Sequence, residues 1–119
     1  MVVSGITPEE ITPEQIEGWK EAAENGDAEA QHNLGRAYIY GDGVPQDYEE
    51  GVKWFIKAAE QGYVDAQYNL GVAYAKGEGL PEDKKEAVKW WKKAAEQGHA
   101  KAQYALGVAY PHSFIKMYP

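Results

Sequence analysis

Cysteine is absent from this sequence, which therefore offers no disulfide framework, no thiolate metal site and no thiol nucleophile. Positive charge is scarce too. Lys and Arg number 12 against 19 Asp and Glu, and the formal net charge of -7 repels phosphate backbones and anionic lipid alike, so neither nucleic acid nor a membrane surface is an expected partner. No apolar run reaches the roughly 18 residues of a membrane-spanning helix, and "MVVSGITPEE" shows neither a basic leader nor an apolar stretch of signal length. The expectation is a cytoplasmic protein with a single domain over 1–119. The histidines, His32, His99 and His112, are spaced as in no metal motif, and each reads as solvent-exposed. "GDG" and "GEG" lack the preceding strand and the lysine of a nucleotide loop, and pairs such as Glu49-Glu50 and Glu82-Asp83 fall at helix starts, where the helix dipole favours them. Lys84, Lys85, Lys89, Lys92 and Lys93 are interleaved with Glu86 and an apolar stripe, the pattern of a solvated helix face. No catalytic residue, metal or cofactor emerges, and an enzyme is not expected.

What is present is repetition. Glu24 to Ala59 laid over Glu60 to Ala95 keeps 20 of 36 residues, and the start of a third copy runs from Glu96 to Tyr110. "GWKEAA" at Gly18 to Ala23 falls on "WFIKAA" and "WWKKAA", which divides the chain into a half repeat at about 12–25, full repeats at about 26–61 and 62–97, a partial repeat at 98–110 and a non-repeat tail at 111–119. Each unit reads as two helices. Ala30, Leu34 and Tyr38 recur at helical spacing on helix A, from about residue 28 to 40; Gly41, Gly43 and Pro45 interrupt it. Asp47 and Glu50 resemble a capping pair for helix B, whose Val52, Phe55, Ala58 and Ala59 form a buried face and whose end is marked by Gly62. Thr12, Pro13 and Gln15 make a strong helix start, with a competing one at Thr7. Gly35, Gly71 and Gly107 sit mid-helix at a cost of about 1 kcal/mol each relative to Ala, offset if Trp54, Trp90 or their aromatic neighbours fill the vacated space.

The stretch "AEQGYVDAQYNLGVAYAKGEGLPEDKKEAVKWWKKAA" resembles a Sel-1-like repeat, the 36-residue relative of the tetratricopeptide unit, through Ala66, Gln67, Leu70, Gly71, Tyr74, Gly77, Gly79, Pro81, Asp83, Ala87, Trp90 and Ala94-Ala95. The resemblance covers about Trp19 to Tyr110. It implies an all-α fold, a right-handed superhelix of antiparallel helix pairs with about five main helices, and an adaptor or assembly scaffold rather than a catalyst. Some members of that family are disulfide-stapled, which this chain cannot be.

By analogy with tetratricopeptide grooves, the concave face is expected to show Glu29, His32, Arg36 and Ile39, then Asp65, Tyr68, Val72 and Ala75, then Lys101, Tyr104 and Val108. Tyr68, Val72, Tyr104 and Val108 occupy the spots where a carboxylate clamp needs polar donors, so an apolar peptide or helix is the better ligand. The alternative is that these tyrosines pack along their own helices. Where the copies disagree, Ile39 and Tyr40 replace Ala75 and Lys76, Ile56 stands where Lys20 and Lys92 stand, and Tyr63 where Asp27 and His99 stand, giving the first full unit surplus apolar surface. Pro111 ends the array, and Phe114, Ile115, Met117 and Tyr118 are expected to cap the bare third unit or to touch another molecule. A protein or peptide partner is therefore expected on the groove or the apolar end. The alternatives are a homodimer through the uncapped C-terminal end and an engineered member of the family with a rebuilt patch.

Overall fold

The computed structural model describes residues 11–109. Six helices, and no strand among the described residues, follow one another: α1 (Pro13–Glu24), α2 (Ala28–Tyr40), α3 (Tyr48–Glu60), α4 (Val64–Lys76), α5 (Lys84–Glu96) and α6 (Ala100–Ala109). The sixth is the ten-residue helix of the partial unit. Helices α2, α4 and α6 are the A elements and α1, α3 and α5 the B elements; each packs on its neighbours in sequence, as a solenoid requires.

Local chemistry sets the boundaries. Thr12 and Gln15 exchange both bonds of a capping box ahead of Pro13. Asp47 accepts from the Glu50 amide at 3.1 Å, but its own amide donates to the Tyr38 carbonyl instead of to Glu50, so the α3 start is a simple cap that also ties the loop back to α2. Gly41 and Gly77 end α2 and α4 in the left-handed conformation at φ 70°, which a side chain would resist. The Thr7 start lies outside the described residues.

The core is alanine-rich and falls into three clusters along the stack, each with the leucine of one A helix: Leu34, Leu70 and Leu106 are almost wholly buried. Alanines let the helices approach, and the mid-helix glycines bring them closer still. A methyl group built on Gly35 would lie 2.7 Å from the Phe55 ring, and one on Gly71 would overlap the Trp91 indole. The rings over the glycines are thus Phe55 and Trp91, the neighbours of Trp54 and Trp90. Those two tryptophans instead lie partly exposed, with Lys57 and Lys93 ammonium groups 5.9 and 5.7 Å from their ring centres.

A second periodic device is polar. Gln31, Gln67 and Gln103 each donate a side-chain amide to a carbonyl at the end of the preceding B helix, on Ala23, Ala59 and Ala95. Gln61 and Gln97, at the ends of α3 and α5, then donate to Gln31 and Gln67. Helix ends buried between repeats are satisfied in this way rather than left orphaned.

Gly71→Ala should lower stability by about 1 to 3 kcal/mol, because overpacking against Trp91 exceeds the gain of about 1 kcal/mol in helix propensity. Urea unfolding measures it; a variant more stable than the parent would refute the glycine account.

Candidate protein-binding groove

The spaces between successive A helices form two grooves in equivalent places, with the B helix as floor. The first, between α2 and α4, is lined by Arg36, Ile39, Tyr48, Phe55, Asn69 and Val72 among others and encloses about 200 Å³. The second, between α4 and α6, encloses about 740 Å³. Its lining includes Ala75, Lys84, Trp91, Ala105 and Val108, the repeat counterparts of Ile39, Tyr48, Phe55, Asn69 and Val72.

Two replacements account for the difference. Ile39 fills the first groove because Gly51 on α3 leaves room for it; a methyl group there would come within 2.8 Å of the Ile39 side chain. The second unit has Ala75 opposite Ala87, so the space that Ile39 takes is left open. Asn69 bridges from α4 to α2, its Nδ2 3.0 Å from His32 Nε2. At the same two positions one repeat later stand Ala105 and Tyr68, which form no such bridge.

His32 is therefore not the exposed groove residue that the sequence suggested. It is 5% exposed, with Phe55 and Tyr63 rings 5.7 and 5.1 Å away, and it closes the seam between the first and second units. Tyr63 reaches it because position 63 does without a capping side chain, whereas Asp27 and His99 cap at the equivalent places. Burial lowers the His32 pKa from 6.5 to about 4; Asp65 partly opposes this and Arg36 adds to it. With the Asn69 amide donating to Nε2, the ring proton rests on Nδ1, which is buried with no partner among the described residues.

His99 is not a free surface group either. Its Nδ1 accepts the Ala102 amide, its Nε2 sits 3.1 Å from Asp65 Oδ1, and its ring stacks on Tyr68 at 4.8 Å. Tyr68 is consequently half-buried, while Tyr104 and Val108 are 75% and 65% exposed. Arg36 is exposed, its guanidinium 5.9 Å from the ring centre of Tyr40, which is itself exposed. Ile39, Ile56 and Tyr63 pack against the core, so the surplus apolar residues of the first unit are mostly interior. Phe114, Ile115, Met117 and Tyr118, with Pro111 and His112, lie outside the described residues. Sequence reading missed the floor, Ala87, Val88 and Trp91, and the rim lysine Lys84. The signal was available in the pairing of Ile39 with Gly51 and of Ala75 with Ala87.

Stacked helix pairs around an inter-repeat groove define a tetratricopeptide-like helical solenoid. The chain belongs to the Sel1 repeat family, whose model matches residues 28–63, 64–99 and 100–112. Among solved structures it is similar to a protective antigen of uropathogenic Escherichia coli strains with the same fold, at 46% identity and TM-score 0.78 over 82% of this chain and 21% of that one. A Sel1 repeat protein from Oxalobacter formigenes shares 39% identity, TM-score 0.76, over 80% and 39%. The cysteine rich protein B of Helicobacter pylori shares 26%, TM-score 0.70, over 73% and 65%. The chain thus spans less than two thirds of each of these proteins. No match is found among curated proteins. Sel1 repeats are generally non-catalytic scaffolds of protein interaction. No helix among the described residues is long and apolar enough to cross a membrane.

Because folded His32 stays neutral to about pH 4 while the unfolded side chain protonates near 6.5, the unfolded state binds the extra proton between those values and stability falls as pH falls through that window. The loss by pH 4 is on the order of 3 kcal/mol. Denaturant midpoints from pH 7 to 4 should show His32→Gln losing markedly less than the parent; equal losses would contradict a buried neutral ring.

Proposed function

We propose that this chain is an adaptor that holds an apolar segment of another protein, helical or extended, in the groove between α4 and α6. The supporting observation is the inequality of the two grooves: one fold repeat makes both, and only the second is left open, by Ala75 and Ala105 in place of Ile39 and Asn69. Tyr68, Val88, Trp91, Tyr104 and Val108 supply aromatic and aliphatic surface for anchors, and Lys84 and Lys101 stand on the rim. Lys84 also pairs with Glu82 at 3.2 Å, and Lys101 has no ion-pair partner among the described residues. An apolar segment flanked by carboxylates fits this arrangement best, since anchors buried on binding carry affinity and rim charges steer the approach. Catalysis forms no part of this reading: His32, the residue around which an active site could have been built, meets Asn69 and two rings rather than a carboxylate.

The test is a transplant of the first groove into the second. Peptides selected from a random library on the parent protein should bind Ala75→Ile/Ala87→Gly at least roughly tenfold more weakly, because the isoleucine refills the space and the glycine accepts it. Lys57→Glu, on α3 away from the groove, should leave binding unchanged. Fluorescence anisotropy reads both. Selected peptides that bind the transplant as well as the parent, or a library that yields none, would reject the groove.

A further inference from the structure

The two junctions between successive A helices hold the same pair of rings in exchanged places. At the first, His32 on α2 meets Tyr63 ahead of α4, ring centres 5.1 Å apart; at the second, Tyr68 on α4 meets His99 ahead of α6, stacked at 4.8 Å. The exchange gives the two histidines different tasks. His32 is shut into the seam, and Tyr63 makes no side-chain cap. His99 caps α6 through its ring, the task that the carboxylate of Asp27 performs for α2.

The contacts of His99 fix where its proton lies. A backbone amide can only donate, so Nδ1, 3.1 Å from the Ala102 nitrogen, accepts and carries no hydrogen. Nε2 faces a carboxylate oxygen, Asp65 Oδ1 at 3.1 Å, which can only accept, so Nε2 carries the hydrogen and donates it. Both ring nitrogens are thereby committed in the neutral form. A second proton has only Nδ1 to go to, where it points at the Ala102 N–H, and the added charge sits at the positive end of the α6 dipole. Protonation therefore breaks the cap, while the bond to Asp65 becomes an ion pair and keeps hold of the ring. Asp27, capping with a carboxylate oxygen, meets no such conflict.

This one side chain serves both walls of the α4–α6 groove. Its ring stacks on Tyr68 in one wall, and its cap holds the first turn of α6, whose Ala100 and Lys101 line the other. These contacts all fall between Asp65 and Ala102. The charged and titratable groups on the elements around the ring are Asp65 and Tyr68 on α4, Lys93 and Glu96 in the last turn of α5, and Lys101 on α6; of these, Asp65 bonds to the ring and Tyr68 stacks on it. We propose that His99 is a proton-operated latch on the groove: neutral, it holds Tyr68 and the first turn of α6 in the binding arrangement; protonated, it releases that turn and the bound segment with it. The latch rests on the groove reading above and adds its regulation. Its sign follows from linkage, since the partner binds the form without the extra proton and affinity falls as pH falls.

The test is made on the full chain carrying His112→Gln, which leaves His99 and His32 as its imidazoles. Burial keeps His32 neutral down to about pH 4, so it stays silent in a titration from about pH 7.5 to about pH 5. Nitrogen-15 NMR should show the Nε2–H form of His99 at the upper end and a doubly protonated ring at the lower. As the ring protonates, protection of the Ala102 amide from hydrogen exchange should fall roughly three- to thirtyfold, the range that a lost cap spans, while the Ala30 amide, capped by Asp27, keeps its protection. Fluorescence anisotropy with a histidine-free peptide selected on the groove should show affinity falling roughly threefold or more along the same titration. His99→Asn caps without titrating and should show no such fall. Asp65→Asn removes the charge that favours the protonated ring and should move the fall to lower pH, which loss of a merely structural contact would not do. A neutral ring with its proton on Nδ1, an Ala102 amide that stays protected when the ring is charged, or an affinity that is flat in pH or falls equally in His99→Asn would overturn the latch. The two NMR measurements use the protein without peptide, so a library that yields no peptide rejects the groove while the cap is still decided, and the two failures are separable.

Discussion

The contact between a flat aromatic ring and a helical glycine governs the architecture. A ring lying where a Cβ would be sets the separation of the A and B helices in each unit, Phe55 over Gly35 and Trp91 over Gly71. Once that separation is fixed, only alanine-sized residues fit along the seam, which is why Ala58, Ala59, Ala66, Ala94, Ala95 and Ala102 are buried to within a few per cent. The leucine of each A helix fills what remains. Buried area per helix pair is small, so the units hold together by stacking, without the cysteines that the name of the Helicobacter pylori neighbour advertises.

Close helix packing creates a problem of its own, since it buries the ends of B helices away from water. The glutamine of each "AQ" answers it by donating into those carbonyls, and the helix-ending glutamines add a second layer between units. These bonds are directional, and they fix the register of one unit on the next in a way that alanine contacts alone would not. The His32 and Asn69 pair adds one further lock, present at the first junction only.

The proposed binding site rests on that unevenness. A solenoid of identical units would offer identical grooves, and a partner would have no reason to prefer one position. Here Ile39 with Gly51, and Asn69 with His32, close the first groove; Ala75 with Ala87, and Ala105 with Tyr68, open the second. Ile39 and Gly51 are a matched pair, the large side chain on the A helix taking the space that the glycine on the B helix leaves, whereas Ala75 and Ala87 together fill less and leave the space open.

The helices, their caps and the repeat family were legible in the chain because they rest on interactions within a few residues of one another: Thr12 with Gln15, Asp47 with the Glu50 amide, glycine at the left-handed ends of α2 and α4. Candidate groove residues were legible only in part. Tyr104 and Val108 emerged exposed as their positions implied, whereas His32 was expected at the surface and is buried, because its environment is built by Phe55, Tyr63 and Asn69 from two later helices. Sequence by itself determined that there would be a stack of helix pairs and which residues would repeat. Which ring covers which glycine, which groove stays open and how far burial lowers the His32 pKa were decided by tertiary structure, since each depends on volume and dielectric set by side chains 12 to 37 residues away.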